Sequence, residues 1–269
     1  MRRISASVLC FLLIVLSACN AVPENISYGV FLSIDSDLDK LSEYETVVID
    51  AQFFSEVEIK RFKEQGHRVI SYINIGSLES FRDYYDSYSD LALDTYEHWD
   101  EEVWIDVSSF KWQSFVTDEL IPSLVNLGID GFFVDNCDVY YNYPTPDNLN
   151  GLTVMMSSMV DTGLDVIING GDCYLDAYCA SGDSWSDVIT GINQESVFSS
   201  ILWDSDSFGT ADVEDHEYFC DYIERYSALG ADIYLLEYTT DKKLISQIDS
   251  YCKRNKFDYY ISDSIELDG

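Results

Sequence analysis

The fold turns on Leu127-Gly128-Ile129-Asp130-Gly131-Phe132-Phe133-Val134-Asp135-Asn136. A glycine closes a helical segment, and Ile129–Asn136 then runs as an apolar, β-rich stretch that ends on two polar residues. Gly66, Gly128, Gly163 and Gly230 recur in the same setting, just past a predicted helix and two or three residues before a predicted strand. That is the position where a helix ends in the left-handed conformation, which glycine adopts freely. Four repeats of helix, glycine and strand make a β-α alternation, and such an alternation predicts a parallel sheet.

Outward from this stretch, eight runs rich in Val, Ile, Phe and Tyr are spaced at barrel-like intervals: Tyr28–Ile34, Val47–Ala51, Arg68–Ile75, Ile129–Asn136, Asp165–Asn169, Val188–Gln194, Ala231–Tyr238 and Phe257–Ser262. None alternates cleanly between polar and apolar, as expected of parallel strands buried on both faces. Ser55-Glu56-Val57-Glu58 is a capping-box pattern that opens a helix stopping at Gly66. Eight strands predict closure into a single (β/α)8 barrel, an α/β fold, over an open sheet, and no GxGxxG or P-loop pattern speaks for the latter. A ninth run, Glu102–Val107, is expected to be an accessory strand in the long excursion after the third barrel strand.

The N-terminus reads differently. Arg2 and Arg3 precede the short apolar run Val8–Leu16, which has the length of a signal-peptide core and is too short to span a bilayer. Leu16-Ser17-Ala18-Cys19 looks like a lipobox, with Cys19 the lipidated first residue of the mature chain. The other reading is an ordinary secretory signal with a chance cysteine. The expected division is residues 1–18 as lipoprotein signal peptide, 19–27 as a short tether and 28–269 as the barrel. The protein is thus expected to be exported and bound to a bacterial membrane through a lipid anchor at Cys19.

Composition excludes several classes. With 49 acidic against 15 basic residues and a net charge of −34, the chain has no basic footprint for nucleic acid. Two explanations of the acidity stand side by side: a saline habitat, in which surface carboxylates keep the protein hydrated, and attraction of a cationic substrate. Cys137, Cys173, Cys179, Cys220 and Cys252 follow the signal region. Cys173 and Cys179 lie close enough in sequence to pair across one loop, and the odd count leaves at least one thiol unpaired. No pair has zinc-type spacing and the chain has only 3 histidines, so neither metal nor cofactor is expected.

In a barrel of this kind the active site lies at the C-terminal ends of the strands. Polar residues ending apolar runs are therefore the candidates: Asp50, Tyr72 with Asn74, Asp135 with Asn136 and Asp138, Asn169, Gln194 with Glu195, and Glu237 with Tyr238. A nucleophilic triad fits poorly, since there is no GxSxG and no histidine ends a strand. Glycosidic cleavage needs only two carboxyls, one to protonate the leaving oxygen and one to attack the anomeric carbon or activate water. Asp135 ends the fourth barrel strand and Glu195 the sixth.

Gly131-Phe132-Phe133-Val134-Asp135-Asn136-Cys137-Asp138 resembles the signature of glycoside hydrolase family 114, the endo-α-1,4-polygalactosaminidase-like family. Val69–Gly76, Glu102–Val107 and Asn193-Gln194-Glu195 are similar to further segments of it, and the resemblance runs from Gly29 to Ser262. It implies that Asp135 and Glu195 are the catalytic carboxylates. It also implies that Asp50, Tyr72, Asn74, Asn136, Asp138, Asn169 and Tyr238 line the substrate cleft. The leading reading is an endo-acting glycosidase on an amino-sugar polymer, and the alternative is a non-catalytic, surface-tethered carbohydrate-binding lipoprotein on a degenerate barrel. The expectation leans to a retaining mechanism, while the sugar, the linkage, the stereochemistry and endo or exo attack stay open.

Overall fold

The computed structural model describes residues 26–269. The signal and lipobox readings at Cys19 lie outside the described residues. Eight parallel strands pair in chain order: β1 (Ile26–Phe31), β2 (Tyr44–Ile49), β3 (Arg68–Asn74), β4 (Gly131–Asp135), β5 (Asp165–Asn169), β6 (Gly191–Glu195), β7 (Asp232–Tyr238) and β8 (Asp258–Ser262). The last packs beside the first, so the sheet curls into a (β/α)8 barrel. The first strand begins two residues earlier than the Tyr28–Ile34 run indicated, since Ile26 already pairs with Tyr44.

Each strand serves two cores, which is why its sequence lacks polar alternation. On β4, Phe132 and Val134 face the surrounding helices, while Phe133 fills the interior with Tyr28, Val30, Val48, Ile70, Ile167, Tyr234 and Leu236. Successive strand residues point to opposite faces, so an interior residue near the C-terminal end is followed two positions later by one at the barrel mouth. Phe133 is followed in this way by Asp135, Ile167 by Asn169, Asn193 by Glu195 and Leu236 by Tyr238. The same parity sends Glu237 outward.

The outer layer follows the sequence signals closely. Glu56–Glu64 opens on the complete Ser55–Glu58 capping box. Gly66, Gly128, Gly163 and Gly230 all have positive φ, at 104°, 84°, 76° and 103°. The crossover from β1 to β2 departs from the ideal pattern, since it carries only the 3-10 turn Leu38–Leu41 where the later crossovers carry α-helices. His67 sits at the opposite end of the barrel from the strand C-termini, stacked on Phe62 with Nδ1 2.7 Å from the Tyr44 carbonyl oxygen. Cys173 and Cys179 are not bridged. They share helix Asp172–Ala180, and all five described cysteines are free thiols. Six helical residues span about 9 Å of rise, more than a disulfide's Cα separation of about 7 Å allows.

Two insertions rise from the mouth. After β3 comes a three-stranded antiparallel sheet of Ser77–Glu79, Ala92–Thr95 and Glu102–Ile105, the last being the expected accessory strand. After β6 comes the hairpin Ser199–Leu202 with Ser207–Thr210.

Candidate active site

The barrel mouth opens into a cleft of about 1310 Å³ lined by the ends of all eight strands or the segments that follow them, both insertions among them. Its floor is organised by one amide. Asn169 Nδ2 donates to Asp135 Oδ1 at 2.9 Å and to Glu195 Oε1 at 2.7 Å. Two contacts through a single nitrogen place those carboxyl oxygens no further apart than about 5.6 Å, the two lengths laid end to end.

The orientation of Asn169 is set from below. The Tyr28 hydroxyl, fully buried, donates to Asn193 Oδ1 at 3.2 Å, and Asn193 Nδ2 donates to Asn169 Oδ1 at 2.7 Å. With its oxygen taken, Asn169 presents its NH₂ to the two carboxylates. Tyr28 and Asn193 were absent from the sequence candidates. Parity was the signal for Asn193, two positions before Glu195 on an inward face.

Each carboxylate has further donors. The Tyr72 hydroxyl lies 3.1 Å from Asp135 Oδ2, and Tyr238 donates to Glu195 Oε2 at 2.8 Å. Burial raises the pKa of Asp135, opposed by hydrogen bonds from Asn169, Tyr72 and the Asn136 backbone. Burial also raises Glu195, and the Asp135 charge raises it further against the opposing donors Asn169 and Tyr238. Glu195 thus has one donor fewer and one charged neighbour more. This is the asymmetry that separates an acid from a carboxylate in a shared site.

The other sequence candidates divide into working groups. Asn74 Nδ2 donates to Ser77 Oγ at 2.7 Å and to the Tyr72 hydroxyl at 3.2 Å, bracing the turn after β3. Asn136 holds a left-handed φ of 65°. Its side chain takes the Tyr96 hydroxyl at 2.9 Å and donates to Ser77 and Glu102, tying β4 to the accessory sheet. Asp138 lines the cleft with its pKa pushed up to about 7, by burial first and then by Asp172 and Asp135. Asp50 is in the wall, but its oxygens are engaged by the Gln52 N–H and by Arg82 at 2.6 Å. Glu237 is turned away from the cleft and accepts from the Phe198 and Ser199 N–H groups and the Ser199 hydroxyl. Its strand-end position misled because parity, not proximity to the C-terminus, decides which side chains reach the mouth.

Glu79, Arg82, Tyr96, Glu102, Trp99 and Trp203 also line the cleft and were not singled out beforehand. They sit on the insertions, whose placement over the mouth no strand pattern encodes. Glu102, like Asp138, is pushed up to about 7, chiefly by burial. Roughly a third of the lining residues are Asp or Glu, against 49 of 269 in the whole chain.

A (β/α)8 barrel with two half-buried carboxylates on the strand ends either side of β5 has the layout of a glycoside hydrolase. The chain belongs to glycoside-hydrolase family GH114, whose sequence profile matches residues 17–268. It is similar in structure to the glycoside hydrolase domain of PelA from Pseudomonas aeruginosa, with TM-score 0.75 and 16% identity over 90% of this chain and 96% of that one. It is also similar to Ega3 from Aspergillus fumigatus, solved in complex with galactosamine, with TM-score 0.68 and 16% identity over 91% and 93% of the two chains. A more remote likeness is to an α-galactosidase from Thermus thermophilus, with TM-score 0.55 and 8% identity over 88% of this chain and 57% of that one. No protein of curated function matches the chain by sequence.

Proposed function

We propose that this glycoside hydrolase cleaves internal bonds of a cationic amino-sugar polymer by a retaining double displacement, with Asp135 as nucleophile and Glu195 as general acid and base. The observation that carries the reading is the Asn169 bridge. A separation of about 5–5.5 Å suits direct attack by one carboxylate, whereas an inverting enzyme leaves about 6.5–9.5 Å for a water. The upper bound of about 5.6 Å set by the bridge lies at the edge of the first range and short of the second.

In the first step an Asp135 oxygen attacks the anomeric carbon while Glu195 passes its proton to the departing oxygen. In the second, Glu195 takes a proton from water, which attacks the same carbon and breaks the ester to Asp135. The roles follow from the asymmetry of donors: Asp135 is the better stabilised anion, and Glu195 retains its proton beside it. The open groove supports a polymer as substrate. Exposed Phe53 and Phe81, after β2 and β3, and Trp99 and Trp203, on the two insertions, line its walls and offer flat faces to sugar rings. The concentration of carboxylates supports a cationic one. The galactosamine bound to Ega3 points to the sugar class. On this reading the protein works outside the cell, tethered through Cys19.

Incubation with partly deacetylated α-1,4-galactosaminoglycan, chitosan and polyglucosamine, followed by sizing of the products, tests the reading. The expected result is conversion of the galactosaminoglycan to oligosaccharides of several lengths, with the anomeric configuration retained in the first product seen by NMR. Asp135→Asn and Glu195→Gln are each expected to lower turnover by about 10³-fold or more while leaving the Tm within a few degrees. Release of monosaccharide only, inversion, or near-normal turnover in either variant would each remove the corresponding part.

A further inference from the structure

Tyr72 faces more acceptors than it has protons. Its hydroxyl oxygen lies 3.1 Å from Asp135 Oδ2 and 3.3 Å from Glu79 Oε1, and it accepts from Asn74 Nδ2 at 3.2 Å. A phenol carries a single O–H. Burial and the flanking carboxylates hold its pKa well above the usual value, so the proton stays on Tyr72 and the two carboxylates compete for it.

Glu79 is held for this competition by a buried ionic cluster. Arg82 Nε donates to Glu79 Oε2 at 2.5 Å and Arg82 Nη1 to Asp50 Oδ2 at 2.6 Å. None of the three side chains is more than 6% exposed. Such a cluster is poor value as a source of stability, because desolvation of its charges offsets their attraction. Arg82 has no acceptor besides Asp50 and Glu79 among the described residues, and neither step at the anomeric carbon uses Glu79 directly.

We propose that Glu79 is a positioning residue for the reaction: anchored by Arg82, it is the alternate acceptor for the Tyr72 hydroxyl, which donates to Asp135 while that carboxylate is charged and turns to Glu79 when Asp135 is esterified. The inference rests on Asp135 as the nucleophile. As the bond from Asp135 to the anomeric carbon forms, the negative charge leaves Asp135 and the Tyr72 O–H rotates to the charge that remains. When the ester breaks, the hydroxyl swings back. No proton leaves Tyr72, and the departing oxygen and the attacking water exchange protons with Glu195 as before. Without Glu79 the hydroxyl stays on Asp135 and stabilises the free carboxylate more than the transition state, which slows attack.

The test reads the titration of Asp135 in the free enzyme by ¹³C carboxyl NMR, its resonance assigned by difference from Asp135→Asn. Besides Tyr72 and Glu79, the titratable groups around Asp135 are Glu195 on β6, Cys137 and Asp138 after β4, Glu102 and Tyr96 on the accessory insertion, and Tyr238 on β7. Those around Glu79 are Arg82, Asp50, Tyr84, Tyr72, Glu102 and Asp135. Glu79→Gln removes a neighbouring charge and gives the Tyr72 proton to Asp135 alone. Both effects favour the carboxylate, so Asp135 titrates at lower pH, and kcat falls about tenfold, the scale of one charge-assisted hydrogen bond. In a Tyr72→Phe background the charge effect remains but there is no proton to release, so the shift from Glu79→Gln shrinks. Equal shifts in the two backgrounds, or none in either, would overturn the switch. If Glu79→Gln does not fold, Glu79→Asp keeps a charge on Arg82 while withdrawing the acceptor by one methylene. It is expected to move Asp135 in the same direction, and no shift overturns the proposal. Full turnover in Asp135→Asn would instead sink the nucleophile assignment, on which the NMR comparison does not depend.

Discussion

At the scale of single residues, Asn169 joins what two strands supply separately. Its NH₂ stabilises the ionised forms of both Asp135 and Glu195, while burial and then the charge of Asp135 raise the Glu195 pKa. On the proposed mechanism Asp135 acts ionised and Glu195 protonated, so kcat/KM is expected to be bell-shaped, with both limbs displaced upward from ordinary carboxylates. Tyr238 donates to Glu195 and favours its ionised form. Tyr238→Phe therefore raises the Glu195 pKa and carries the alkaline limb to higher pH, by about one unit if it removes one charge-assisted hydrogen bond. A pH–rate profile checks this, and a shift to lower pH would reverse the assignment of Glu195 as the acid.

At the scale of elements, the segment that leaves Glu195 is fixed by the strand next to it. Ser196 has a positive φ of 54°, and the chain then turns so that the N–H groups of Phe198 and Ser199 point at Glu237. Ser199 Oγ donates to Glu237 at 2.6 Å and accepts from the Tyr238 N–H at 3.0 Å, so β7 clamps the start of the hairpin that carries Trp203. Trp203 stacks on His98 with ring centroids 4.4 Å apart, joining the two insertions at the cleft. Glu237→Gln keeps the shape but sets an NH₂ against donors. It is expected to cost about 2 kcal/mol, a loss of about 4–8 °C in Tm, and to lower kcat more than it raises KM. Calorimetry and steady-state kinetics on one preparation measure both. An unchanged kcat would show that the clamp does not position Glu195.

For the whole molecule, acidity acts on binding and on stability. If carboxylates concentrated at the cleft draw in a cationic polymer, kcat/KM falls as salt rises through the range where the Debye length shortens from about 30 to about 8 Å. Activity that holds or rises with salt would favour habitat as the cause of the charge. Stability carries a second signature. Glu102, Asp138 and Glu237 are each raised to about 7 in the fold. They hold protons that the unfolded chain has already lost, so stability is greatest near the unfolded carboxylate range and declines as pH rises toward about 7. The Tm is expected to be several degrees higher at about pH 5.5 than at about pH 8, with a difference that survives high salt because buried groups are little screened. A Tm rising steadily to about pH 8 would contradict these burials.

The chain's periodicities determined its secondary elements, because helix caps, the four left-handed glycines and doubly buried strands are local chemistry written in neighbouring residues. Asp135 and Glu195 were legible for the same reason: each is a polar residue at the end of an apolar strand, and strand ends are where a barrel keeps its site. Tertiary structure alone decided how near the two carboxylates stand, since that depends on Asn169 and, beneath it, Asn193 and Tyr28, brought together from strands far apart in sequence. It also decided that Asp50 answers Arg82, that Glu237 clamps a loop, and that Glu79 lies within reach of the Tyr72 hydroxyl. Those assignments depend on the inward or outward face of a strand and on where long insertions come to rest, and a contact between distant segments leaves no local pattern to read.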